Sequence, residues 1–280
     1  MTTVPVFLYH SVSDDPPSWI APFTVTPATF VEQLDRIADS GRSIVPLGRL
    51  VSALRGGRPV PPRCAVLTFD EGFADFYWTV APLLTARELP ATLFVTTGAI
   101  HPPGGTRAGS RLPPAPMLNW RQIAGLHTVG FEIGGHSRTH PQLDTLPGRR
   151  LWDEIALCKR ELEEVVSRPV TAFAYPHGYS SAVVRRKVQK AGWSSACAGG
   201  EAFSSGADDP LRIPRLTVRS DTSSETFQDW ADGRGAPATP IAERFRTLGW
   251  RAYRRSRARL GHPFSCPPGI RYPEPWRPER

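Results

Sequence analysis

The sequence predicts an α/β fold in which short buried strands alternate with amphipathic helices. Apolar runs and helix-period segments follow one another through most of the chain, the pattern that α/β architecture produces. The 280 residues are long for an ordinary domain but within the span of single α/β barrels, and 40% hydrophobic against 21% charged residues allow a substantial core. Glycine (24) and proline (30) cluster between the apolar runs, which marks loops on a folded scaffold. The expected organisation is one main domain, residues 1–232, followed by a basic, proline-rich linker and tail, residues 233–280.

Residues 4–9 read as a first buried strand. Residues 27–40 carry Phe30, Leu34, Ile37 and Ala38 at helical spacing, with Thr26 as N-cap, Pro27 at the first helical position and Gly41 as the stop. A strand over 65–69 leads through a loop to an aromatic-rich helix over about 74–86, and a further strand covers 91–96. Residues 101–116, rich in proline and glycine and without periodicity, read as a surface loop near a site mouth. A short helix over 120–126 precedes a strand over 131–133 that delivers Gly134, Gly135 and His136. Leu151, Ile155, Leu162, Val165 and Val166 predict a long helix over 149–167, ended by Pro169. A strand over 172–175, a helix over 182–191 with Gly192 beyond it, a strand over 194–198 and a last short helix over 226–231 complete the domain. In the tail, 241–260 reads as a basic helix, and 261–280 is too proline-rich to pack alone.

Composition narrows the partners. The net charge of +8 and pI near 9.8 come largely from arginines crowded into the last part of the chain, so the basicity says little about a site in the main domain. There is no zinc-finger spacing and no base-stacking aromatic pattern, and nucleic acid is not an expected partner. Peripheral membrane association through the basic tail is a possible partner reading beside a solvated helix, and oligomeric state is not legible. Cys64, Cys158, Cys197 and Cys266 form no CxxC pair and read as thiols rather than a disulfide framework. The N-terminus lacks a basic region before its short apolar stretch, and no segment has bilayer-spanning length, so the expected location is cytoplasmic.

Chemistry concentrates in two segments. In Leu67-Thr68-Phe69-Asp70-Glu71-Gly72 two carboxylates follow an apolar strand, at the C-terminal end where such folds place their sites. They are either reactive groups or a turn cap beside a solvated glutamate. In Gly134-Gly135-His136-Ser137-Arg138-Thr139-His140-Pro141 two histidines separated by three residues converge on one metal if the segment makes a helical turn; otherwise they are surface histidines. Two imidazoles with a carboxylate from another strand end leave positions open for water and substrate, as in hydrolytic metal sites.

At these residues the chain resembles the polysaccharide deacetylases, carbohydrate esterase family 4. Thr68-Phe69-Asp70-Glu71-Gly72 is similar to their TFDDG motif, His136-Ser137-Arg138-Thr139-His140 matches HSxxH, and Phe173-Ala174-Tyr175-Pro176-His177-Gly178 is similar to RxPYG, in the family's order across roughly residues 4–230. The resemblance implies a distorted (β/α) barrel with fewer than eight strands. It implies a divalent metal, commonly Zn2+ with Co2+, Ni2+ or Mn2+ as alternatives, held by Glu71, His136 and His140. It makes Asp70 the base that deprotonates the attacking water and the backbone N–H of His177 an oxyanion donor. The implied reaction is removal of an N-acetyl or similar acyl group from an amino sugar of a polysaccharide, a lipid-linked glycan or a small glycoside; the competing reading is an inactive barrel that binds glycans or acts as a scaffold.

Three departures from the family pattern stand out. Glu71 replaces an aspartate and reaches one methylene further, still an ordinary zinc ligand. Ala174 replaces the arginine that orients the base, a role open to Arg215 or Arg212. The family's late histidine, which protonates the leaving amine, is missing, since no histidine lies between His177 and His262. His10, at the end of the first strand, resembles the N-terminal Tyr-His of the exopolysaccharide N-deacetylase branch and is the expected general acid. Tyr175 and Trp193 are expected as substrate walls, Trp193 ahead of Trp120 and Trp78, while Asp229-Trp230 is assigned no role.

Overall fold

In the computed structural model, which describes residues 3–100, 110, 112–239 and 245–260, the apolar runs become short parallel strands. In chain order the elements are β1 (Val6–Tyr9), β2 (Ser11–Val12), β3 (Thr24–Val25), α1 (Pro27–Asp39), β4 (Ser43–Ile44), α2 (Leu47–Leu54), β5 (Cys64–Phe69), α3 (Ala81–Thr85), β6 (Thr92–Val95), α4 (Trp120–Thr128), β7 (Glu132–Gly135), α5 (Gly148–Val166), β8 (Ala172–Ala174), α6 (Ala182–Lys190), β9 (Ser195–Cys197), β10 (Leu216–Thr217), α7 (Ser224–Asp232) and α8 (Phe245–Arg259).

The sheet runs β10-β1-β5-β6-β7-β8-β9, seven strands with every neighbour parallel, while β4 pairs with the start of β5 off this path. Cys197 bridges Ile213, and Leu216 pairs with Phe7, so residues 213–217 connect the last strand of the path to the first. The result is a distorted (β/α) barrel with fewer than eight staves, its closing stave only two residues long at β10.

Strand alternation divides the core. Phe7, Leu67, Leu93 and Phe173 pack in one cluster with Phe30 and Leu34 of α1, Ile155 and Leu162 of α5 and Val188 of α6. Val6, Val66, Phe94, Ala174 and Cys197 form a second cluster, to which α2 adds Leu47, Leu50 and Val51. Thr26 caps α1 by accepting from the Thr29 N–H at 3.1 Å, with Pro27 at its start.

Two stretches differ from the sequence expectation. The aromatic helix over 74–86 is divided into a wide i→i+5 turn at Phe76–Val80 and the short α3. Pro82 explains the division, because it has no N–H to continue the preceding ladder. Residues 43–54, left unassigned in the sequence, form β4 and α2; Leu47, Leu50, Val51 and Leu54 have helical spacing, masked by Pro46 and Gly48.

Cys64, Cys158 and Cys197 are free and buried, and Cys266 lies outside the described residues, as do 101–109 of the expected loop and 261–280 of the tail. Among the described residues no helix is long and apolar enough to cross a membrane.

Candidate active site

The two adjacent carboxylates at the end of β5 should point to opposite faces if the strand continued. It does not continue. Glu71 has a left-handed backbone (φ 66°), followed by Gly72 at φ 91°, a conformation that favours glycine. The turn is pinned by Asp70 N–H to Tyr9 O (3.0 Å) and Thr96 N–H to Glu71 O (3.1 Å). Asp70 Oδ2 and Glu71 Oε1 consequently face the same atom, His136 Nε2, each at 3.7 Å.

The histidines also converge, but not through a helical turn. Ser137 and His140 are both left-handed (φ 62°), and the Ser137 Oγ accepts from the His140 N–H at 3.0 Å. The loop hangs from neighbouring elements: Gly98 N–H donates to Arg138 O (2.7 Å), and Glu154 of α5 accepts from both the N–H and the hydroxyl of Thr139. Three non-helical residues therefore bring His140 Nε2 to 3.2 Å from His136 Nε2 and 3.3 Å from Glu71 Oε1.

These separations fit a cation. Ligand atoms about 2.0–2.2 Å from a tetrahedral zinc lie about 3.3–3.6 Å from one another, close to the 3.2, 3.3 and 3.7 Å found here. Glu71 Oε2 is buried without a hydrogen-bond partner, an orphan that a cation or a water on it would satisfy. The Ala174 carbonyl, which can only accept, lies 2.9 Å from His136 Nδ1, so that nitrogen carries the proton and Nε2 offers its lone pair to the cluster. Burial works against charge on Glu71, yet His10, His136 and His140 hold its pKa well below the ordinary range. His136 is likewise opposed by burial but raised overall by Asp70 and Glu71, whereas burial lowers His140 beside it.

Asp70 is fixed from the far side of β1, two strands along the sheet. Arg215, just before β10, donates to both carboxylate oxygens at 2.7 Å, and the pair is almost wholly buried. Its NH1 also reaches Thr68 Oγ1 (3.3 Å), and its guanidinium lies 5.6 Å above the Phe94 ring. Burial opposes the Arg215 charge, but Asp70 raises its pKa overall. Arg212, the other expected candidate, is exposed and lies outside the cavity lining, with its backbone N–H donating to Asp209 O.

A cavity of about 220 Å³ opens over these groups, and His10 lines it together with Asp70, Glu71, His136, His140 and Arg215. The His10 ring packs on Phe23 at 5.0 Å, and its Nδ1 is buried without a partner. Burial lowers its pKa, with Glu71 and Asp70 pulling in the opposite direction. His177, expected to contribute only its backbone N–H, places its imidazole in the same cavity. Its left-handed backbone (φ 59°) sets the ring 4.7 Å from that of His140, with Nε2 buried and unpartnered. A histidine in the third motif was the available signal for this ring.

The expected walls are displaced. Trp193 is 2% exposed and packs beneath Gly135 and against Phe173, and Tyr175 is fully buried with its hydroxyl on Leu211 O (2.9 Å). Both serve the core: Tyr175, just after β8, and Trp193, two residues before β9, pack in the cluster that includes residues of α5 and α6. Trp120 is partly buried against the same core, and Trp78 is 70% exposed. The cavity is walled instead by Trp19, Ile20 and Phe23, which precede β3, and by Leu112 from within the expected loop, and Glu201 and Arg219 also line it.

Comparison with known proteins adds to this geometry. Residues 57–196 match the family model described as polysaccharide deacetylase. The Bacillus subtilis (strain 168) protein YxkH is 22% identical over 191 residues, which are 68% of this chain and 62% of that protein. The poly-β-1,6-N-acetyl-D-glucosamine N-deacetylase of Escherichia coli (strain K12) is 34% identical over 83 residues, 30% of this chain but only 12% of that protein. Among solved structures, IcaB from Ammonifex degensii superposes with a TM-score of 0.70 at 22% identity, covering 83% of this chain and 98% of that one, a likeness of fold.

Proposed function

Since the chain belongs to the polysaccharide deacetylase family, we propose that it hydrolyses the N-acyl amide of an amino sugar in a polysaccharide, a lipid-linked glycan or a small glycoside. One observation carries the reading: the carboxylate clamped by Arg215 lies against a buried cluster of three metal-ligand residues, with two imidazoles bordering the same cavity. Glu71, His136 and His140 would hold a divalent ion, zinc by its two-nitrogen, one-oxygen donor set, and the ion would supply Lewis-acid polarisation and acidify water.

The protein's own groups divide the proton work. Asp70 accepts the proton of the attacking water, and Arg215 fixes the plane of its carboxylate so that Oδ2 stays on the side of His136. His10 gives a proton to the departing amine nitrogen. Burial weakens its hold on that proton, which makes its imidazolium a better acid. The His177 N–H steadies the oxyanion as the carbonyl becomes tetrahedral. Trp19 and Phe23 offer ring faces on which a sugar can lie.

The reading of an inactive glycan-binding barrel rested on Glu71 and Ala174. Glu71 Oε1 lies 3.7 and 3.3 Å from Nε2 of the two histidines, spacings that would allow a shared ion, and Arg215 holds Asp70 as the arginine absent at Ala174 would, so neither departure requires lost chemistry. The test is acetate release from N-acetylglucosamine oligomers by metal-loaded protein. Asp70→Asn should lower the rate by about 10²–10⁴ with metal content unchanged, and the double variant His136→Ala, His140→Ala should lose the metal. Metal-loaded protein that binds the oligomer and releases no acetate would favour the binding reading.

A further inference from the structure

Helix α8 lies beyond the family-matched residues and within the basic tail, yet it reaches the rear of the site. Arg254 donates to both oxygens of Asp144 at 2.6 and 2.8 Å, and both side chains are 1% exposed. Arg255 Nε donates to the Asp144 carbonyl at 2.9 Å. The Arg254 guanidinium also lies 3.7 Å from the centre of the Tyr179 ring, and Trp250 Nε1 donates to the Tyr179 hydroxyl at 3.0 Å. Tyr179 in turn stacks on His177 (6.0 Å, 27°), and His177 meets the ring of His140 edge-on (4.7 Å, 62°). A guanidinium, a phenol and two imidazoles thus form a continuous row of contacts from α8 to His140 of the Glu71, His136 and His140 cluster.

We propose that α8 is a clamp on the catalytic centre and that Arg254 is a positioning residue, acting on His140 through Tyr179 and His177 and through the turn that carries Asp144. The inference rests on the reading of Glu71, His136 and His140 as metal ligands. The physical case is that His140 belongs to a loop with a left-handed backbone and no regular ladder, so its ring direction depends on what packs against it. An arginine is suited to this place because its planar fork pairs with a carboxylate edge-on while its face lies on an aromatic ring, which a lysine cannot do. Supporting groups of this kind typically change metal affinity or activity by about 10–100-fold when removed.

The experiment loads the full-length chain with cobalt(II) and records its visible absorption spectrum and its affinity by chelator competition. Arg254→Met should weaken cobalt binding about 10–100-fold and alter the spectrum, and Arg254→Lys should recover only part of the loss. Because Arg254→Met removes a bidentate ion pair from the interior and weakens folding with it, Tyr179→Leu provides the second arm: it removes the ring between Arg254 and His177, leaves the Arg254–Asp144 pair in place and should shift spectrum and affinity in the same direction. Leu50→Ala, a core change at α2, controls for lost stability and should leave the cobalt spectrum as in wild type. Folded Arg254→Met or Tyr179→Leu protein with wild-type spectrum and affinity would overturn the clamp while leaving the metal site standing. Wild-type protein that binds no cobalt would overturn both. Cobalt binding that responds to the variants in a protein without deacetylase activity would uphold the clamp and reject the proposed reaction.

Discussion

Asp70 and Arg215 are 145 residues apart in sequence and meet through two 2.7 Å hydrogen bonds, so the orientation of one carboxylate depends on the closure of the whole barrel. A local motif could place Asp70 at a strand end; only the fold could choose between Arg215 and Arg212. His10 poses the same problem in a sharper form. It directly follows β1, which neighbours β5 in the sheet, and therefore lines the cavity with Asp70 and Glu71 despite its distance along the chain. An amine leaves an amide badly without a proton, and among the described residues the imidazoles that border the cavity besides those of His136 and His140 are His10 and His177. His177 is packed between His140 and Tyr179, whereas His10 lies against Phe23 on the side of the aromatic wall. The variant His10→Ala should keep its metal and fold and lose about 10²–10⁴ of kcat on an N-acetyl sugar, with a smaller loss on an activated ester whose leaving group needs no proton. Equal losses on amide and ester would point to a structural role for the ring.

At the scale of elements, the glycine pair before His136 is explained by close packing. A Cβ on Gly135 would lie 2.4 Å from Trp193 Cη2 and 3.0 Å from Cys158 Sγ, and one on Gly134 would lie 2.5 Å from Phe94 Cδ1. Trp193, absent from the cavity, acts on the site from below by filling the space under β7. Gly135→Ala should therefore destabilise the protein by about 1–3 kcal/mol in chemical unfolding, the usual cost of overpacking, and the added change Trp193→Phe should return part of that loss. Additive losses would show that the two positions do not share the strain. The buried strands and amphipathic helices were legible because burial leaves continuous apolar runs in the strands and a period of 3.6 in the helices. The turn that aims His140 was not, since a reversal through left-handed residues leaves no periodic trace and a HxxxH spacing suggests a helix by default. Trp19 and Phe23 were missed for a related reason: they sit in an irregular stretch between β2 and β3, and only the folded barrel brings that stretch over the strand ends.

For the molecule as a whole, the barrel must hold several charged groups in a low-dielectric interior, and most of them are paired, as Asp70 is with Arg215 and Asp144 with Arg254. Asp75 is different. It follows β5 and accepts from Ser11 Oγ (2.5 Å) and the Val12 N–H (2.9 Å), tying β2, the strand just after His10, to the segment that carries Asp70 and Glu71. Its partners are neutral, and burial pushes its pKa from 3.8 up to about 6, against the smaller opposing effect of those hydrogen bonds. The folded state then holds the Asp75 proton more tightly than the unfolded chain does. Stability from this group is greatest below the unfolded value near 3.8, declines as pH rises towards 6 and reaches its full penalty above it. A difference of about 2.2 pKa units corresponds to about 3 kcal/mol. Because the Ser11 hydroxyl and the Val12 N–H meet the same Asp75 oxygen, Asp75→Asn keeps an acceptor for both donors and removes the titration, so its stability relative to wild type should rise by about 2–3 kcal/mol between pH 4 and pH 7.5. Urea unfolding of both proteins in the presence of a chelator measures this, because the other titrating groups are common to the two and cancel in the difference. Parallel stability profiles across that range would mean that Asp75 stays ionised in the fold and that its two hydrogen bonds outweigh its burial.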